Sequence, residues 1–291
     1  MSAARPPEGA RTAARQGEGI PVSAGNVPFS WRRFALLARA HGAEQYRQYL
    51  AHMLVTGLLY AVLLLFALGV SRLSAFDTGT QSGFYFWGLY LTGFVFAGRY
   101  FDAMARRESA LLALMRPASV LEKWLLCLLV VAVAYPLAYT VLFLAISWPA
   151  QQVVLAAQAL MERSSPLNPA DYALFVPLLR AQKPAQLLGL PQQWGFFIGL
   201  WALQALAVAG SLYFRRAALL KTVALGFALA VLTALLCVAA GARHEVVFAW
   251  WARRAPAADP AVHAFNALLW LVLPALLWWQ AYVHLREKEL P

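Results

Sequence analysis

Six stretches of the chain are apolar, or nearly so, over the length a helix needs to cross a membrane: Tyr49–Val70, Gly83–Gly98, Trp124–Trp148, Trp194–Tyr213, Thr222–Ala240 and Ala264–Val283. The hydrocarbon core of a bilayer is roughly 30 Å thick, and about 20 helical residues span it. The second stretch is the shortest of the six. An open backbone in lipid leaves its N–H and C=O groups unpaired at several kcal/mol apiece, and the apolar–polar alternation of barrel strands is absent. The sequence therefore predicts an all-α membrane protein with six transmembrane helices.

Composition agrees with that expectation, since 62% of the 291 residues are hydrophobic and 13% charged, against about 25% charged in soluble domains. The formal charge of +11 would suggest a nucleic-acid partner in a soluble chain. Here the basic residues flank the apolar runs, so the expected surroundings are a lipid bilayer and no nucleic acid. Seventeen Lys and Arg lie on the side of the two termini and seven on the other, which places both termini in the cytoplasm. Without the distal Arg5, Arg11 and Arg15 the larger count is still fourteen.

Residues 1–28 are rich in Pro, Gly, Ala and Arg and have no apolar core, so they are expected to form a disordered tail rather than a cleaved signal peptide. Residues 29–48 set Phe29, Trp31, Phe34, Leu36 and Leu37 against Arg32, Arg33, Arg39 and Arg47. That pattern predicts an interfacial amphipathic helix along the cytoplasmic leaflet, ahead of a six-helix domain over residues 49–290. The outer connection Pro149–Gln193 is punctuated by prolines and is expected to carry short surface helices.

Chemistry-bearing motifs are scarce. No GxxxxGK[ST] loop occurs, so ATP hydrolysis would have to come from another polypeptide. His41, His52, His244, His263 and His284 show no ligand spacing, and Cys127 and Cys237 each lie within an apolar run; neither a metal site nor a disulfide is expected. Apart from His52, the spans hold no titratable acid, base or histidine of the kind that ion-coupled transporters and membrane enzymes use. His244, Glu245, Asp259 and His263 assemble no convergent set, so no catalytic residue is assigned. Pro136 and Pro274 predict kinks. Gly195 and Gly199, with Gly88, Gly93 and Gly98, permit close helix approach.

The cytoplasmic segment Arg99–Trp124 is more informative. Asp102, Arg106, Arg107, Glu108, Glu122 and Lys123 bracket the apolar Leu111, Leu112, Leu114 and Met115, ahead of Pro117. An amphipathic helix of this kind lies on lipid or presents a face to a soluble partner, and its mixed charge favours a protein.

The segment AGRYFDAMARRESALLALMRPASVLEKW resembles the cytoplasmic loop of permease subunits of bacterial type-2 ABC exporters, through Phe101, Glu108, Ser109, Pro117, Ala118, Ser119, Glu122 and Lys123. GSLYFRRAALLKT (Gly210–Thr222) and WWQAYVHLREKEL (Trp278–Leu290) are similar to a short loop and the charged end of the same family. The resemblance implies a multi-pass subunit of the bacterial inner membrane, paired with a second permease copy or homologue. It also implies a separate ABC ATPase that binds ATP and Mg and docks on Asp102, Arg106, Arg107, Glu108, Glu122 and Lys123. A different class, a non-transporting scaffold that recruits a cytoplasmic partner through the same helix, remains the alternative.

Overall fold

The computed structural model describes residues 29–70, 76–101, 118–160, 172–178, 190–214, 217–239 and 260–289. The tail over residues 1–28 and the docking residues Asp102, Arg106, Arg107 and Glu108 lie outside the described residues. The described chain is helical, with no strand among the described residues. Its elements are α1 (Trp31–Val70), α2 (Thr78–Arg99), α3 (Val120–Leu128), a π-helical turn (Leu129–Ala134), α4 (Tyr135–Leu160), α5 (Leu190–Tyr213), α6 (Ala218–Ala239), α7 (Pro260–Ala267), a second π-helical turn (Leu268–Val272) and α8 (Leu273–Glu289).

Four helical stretches are long and apolar enough to cross a membrane: Trp31–Val70, Val120–Ala157, Gln192–Tyr213 and His263–Glu287. The other two expected spans are helices as well. α2 is 22 residues long, but Thr78, Thr80, Gln81 and Ser82 crowd its start, and its tyrosines and glycines dilute its apolarity. α6 is apolar over Ala218–Leu232.

The helix starts follow from local chemistry. Asp77 caps α2, its carboxylate accepting from the backbone N–H of Gly79 at 3.0 Å and of Thr80 at 3.4 Å. Ser119 and Glu122 form a reciprocal capping box at the start of α3, satisfying amides that a helix N-terminus otherwise leaves unpaired. α1 runs through Tyr49 without a break, so residues 31–48 and the first apolar run form one helix of 40 residues. At 1.5 Å per residue that is about 60 Å, roughly twice the hydrocarbon thickness. Pro149 sits inside α4, which continues to Leu160; the outer connection therefore begins later than the proline suggested.

α5 is the central helix, packed against α2, α6 and α8. α1 and α2 lean on α4, and α8 also packs on α3. The core is unusually aromatic, built around Tyr60, Tyr85, Phe86, Phe96, Tyr135, Tyr139, Phe143 and Phe175. Phe96 stacks on Tyr135 with ring centroids 4.4 Å apart, and Phe86 on Phe196 at 4.6 Å.

Both prolines expected to kink their helices are preceded by a π-helical turn. In the first, the backbone N–H of Tyr135 reaches back to the carbonyl of Val130, and in the second that of Leu273 reaches Leu268, each one residue further than an α-helix allows. A proline clashes with the carbonyl four residues earlier and cannot donate to it, and the wider turn relieves the crowding.

Candidate functional site

A groove of about 1030 Å³ lies between α1 and α6, floored by α2. Leu59 and Leu63 of α1 form one wall, and Val223 and Phe227 of α6 the other. Trp87 stands in it 80% exposed, and none of the described residues lining it is charged. Glycine creates much of the space: a Cβ on Gly83 would meet nothing within 4 Å.

The hydroxyls bordering the groove are nearly all bonded within the chain. Tyr60 pairs with Ser147 at 2.6 Å, the Tyr90 hydroxyl donates to the Phe196 carbonyl at 2.5 Å, and Thr92 donates to the Gly88 carbonyl at 2.6 Å. Thr222 donates to the Ala218 carbonyl at 2.7 Å and Thr80 to Asp77 at 2.5 Å. Thr56 bonds Tyr135, which also donates to Thr92 at 2.6 Å. Tyr139 differs. It is 2% exposed, it lines the groove, and its hydroxyl lies against Gly88, where any Cβ would collide with it. Among the described residues nothing hydrogen-bonds that hydroxyl.

At the end of the bundle where α1 and α3 begin, Glu122 is the hub. Its side chain is 0% exposed. One carboxylate oxygen accepts from Arg33 Nη2 and from the Ser30 backbone N–H, both at 2.9 Å, and the other accepts from the Ser119 N–H at 2.9 Å. Phe34 and Leu37 pack on Ala118 and Leu126 beside this ion pair. The start of α1 is thereby fastened to the point where the Arg99–Lys123 segment enters α3. Within the chain the Glu122 charge is engaged by Ser30, Arg33 and Ser119. Lys123 is buried beside it.

At the opposite end, three glutamines hold the extended segment 172–178 against the helix ends. Gln81 donates to the carbonyls of Phe76 at 3.0 Å and Ala173 at 3.4 Å, and accepts from the Phe175 N–H at 2.9 Å. Gln151 donates to the Tyr172 carbonyl at 2.7 Å, and Gln193 accepts from the Leu178 N–H at 2.7 Å. Leu178 sits at a φ of 64°, a left-handed conformation that costs a branched side chain energy and persists where surrounding bonds hold it. Phe175 wedges beside Tyr85 and Phe86, with centroids 5.6 and 6.1 Å away.

The first π turn frees two carbonyls, and α5 answers both. Val131 loses the Tyr135 N–H to Val130, and Gln204 Nε2 donates to it at 3.0 Å. Ala132 faces Pro136, which has no N–H, and Trp201 Nε1 donates to it at 3.0 Å. These bonds tie the π turn before Pro136 to α5.

Comparison with protein-family models, with curated proteins and with solved structures finds no match. Among the described residues no group of three His, Cys, Asp or Glu side chains is placed to hold a metal ion. His41 pairs with the Tyr49 hydroxyl at 2.6 Å, and His52 lies beside the stacked rings of Phe96 and Tyr135. The Ser-x-x-Glu spacing at Ser119 to Glu122 carries the capping-box signature in the sequence. Nothing local marks Tyr139 or the three glutamines, because their roles depend on residues far along the chain.

Proposed function

We propose that the chain is the membrane-spanning permease subunit of an ATP-driven exporter in a bacterial inner membrane. In this reading six helices cross the bilayer with both termini cytoplasmic. A separate ATPase, carrying ATP and Mg, docks on the 99–123 loop, and a second permease copy completes the passage. The observation that carries the proposal is the uncharged intramembrane groove of about 1030 Å³ along α2, a concave site of the size small-molecule ligands occupy. The Arg33–Glu122 ion pair supports it, because the fastening gives a partner pushing on the 99–123 loop a firm connection to α1 as well as α3. Motion of that partner would rock the helices around the groove between inward and outward access.

The test is extraction in mild detergent and mass spectrometry of the chains that co-purify. An ATPase with a phosphate loop, lost when Arg106→Glu and Arg107→Glu are introduced together, is the expected result. Repeated recovery of other cytoplasmic proteins without such an ATPase would replace the permease reading with that of a scaffold.

A further inference from the structure

We infer that the groove between α1 and α6 binds an elongated, uncharged, lipid-like molecule carrying a carbonyl oxygen part-way along its length, and that Tyr139 donates the hydrogen bond to that oxygen. This deepens the permease reading by naming the class of cargo, and it rests on that reading for the word cargo alone.

The walls select against charge. An ion in a groove whose described lining carries no charge would lose its hydration with nothing to replace it, at a cost far above that of any neutral group. A simple hydrocarbon fits the walls but leaves one group unused. Thr56, Tyr60, Thr80, Tyr90, Thr92 and Thr222 are bonded inside the chain. The Tyr139 phenol, nine-tenths buried and on the groove floor, is not. A polar group so placed costs about 1–3 kcal/mol until it finds a partner, and in lipid that partner has to arrive with an apolar molecule. Gly88 is what lets the hydroxyl stand there, since any side chain at that position would occupy the same space. A dialkyl ketone or acyl ester answers both demands: methylene chains for the walls and one strong acceptor for the phenol.

The experiment uses the full-length chain in nanodiscs of an ether-linked phosphocholine lipid, which carries no ester carbonyl, without an ATPase, and measures binding of dinonyl ketone, nonadecane and nonadecanoate. Wild type is expected to bind the ketone about three- to tenfold more tightly than the alkane, the worth of one neutral hydrogen bond, and the anion weakest. Tyr139→Phe, which keeps the ring and removes only the hydroxyl, should erase the ketone's advantage and leave alkane binding unchanged. Gly83→Leu, whose added atoms enter open groove space, should abolish binding of both. The inference is overturned by equal binding of ketone and alkane to wild type, by a preference that survives Tyr139→Phe, by binding that survives Gly83→Leu, or by the anion binding best. A second copy of the chain seated in the groove would abolish binding to wild type, and that result also overturns it. Because no ATPase is present, failure here leaves the co-purification test untouched, and the absence of an ATPase there leaves this result standing.

Discussion

The indole N–H of Trp201 donates to the carbonyl of Ala132 across 3.0 Å, supplying the hydrogen bond that Pro136 cannot. In a soluble protein water would take that role, but within a bilayer only another side chain can. Trp201→Phe is expected to destabilise the protein by about 1 kcal/mol, the net worth of one hydrogen bond. In a Pro136→Ala background the helix regains its own donor, and the same substitution should cost close to nothing. Thermal unfolding in detergent of the four proteins of this double-mutant cycle measures the coupling.

Gly88→Ala should destabilise the bundle by roughly 1–3 kcal/mol, the usual cost of forcing extra volume into a packed core. The added methyl would meet the Tyr139 hydroxyl oxygen first, so Tyr139→Phe introduced beside it should restore most of the loss. Rescue by that one substitution, read as a recovered melting temperature, identifies the hydroxyl rather than the backbone as the obstacle.

Glu122→Ala strips the partner from Arg33 and removes one half of the α3 capping box. Breaking a buried pair from one side costs about 3–5 kcal/mol. Arg33 is 31% exposed here, and water can recover part of its charge, so about 2–3 kcal/mol is expected. Arg33→Ala should cost less than Glu122→Ala, because the carboxylate keeps its bonds to the Ser30 and Ser119 amides. Chemical unfolding of both variants gives the order.

Gln81→Leu keeps side-chain bulk but removes three hydrogen bonds that hold Phe76, Ala173 and Phe175. The Phe175 N–H is buried and would be left unpaired, at about 1–3 kcal/mol. Hydrogen exchange over residues 172–178 should speed up by roughly tenfold or more while exchange in α5 stays unchanged. Equal acceleration in both would show that Gln81 supports the whole bundle rather than this segment.

The sequence made some of these features legible in advance. Each apolar run falls on a helical stretch, because lipid leaves the backbone almost no alternative to a helix, although α1 begins well before its run and α4 ends well after its own. Pro136 and Pro274 marked where regular α-helix is interrupted, since the missing donor and the ring clash act within one turn. The π turns were not readable, because whether a proline bends an α-helix or widens it depends on what packs alongside; here Trp201 and Gln204 take up the carbonyls beside Pro136. Pro149 misled for the same reason, with α4 running past it to Leu160.

Glu122 shows where the division falls. Its charge and its position next to an apolar run suggested a surface group available to a docking partner. Only the return of Arg33, 89 positions earlier in the chain, made it a buried ion pair. The sequence alone determined an all-helical membrane protein, because lipid and local sterics act on consecutive residues. The tertiary structure alone decided which polar groups are satisfied, that a neutral groove opens between α1 and α6, and that Tyr139 stands in it without a partner, because hydrogen bonds and cavities form between residues that only folding brings together.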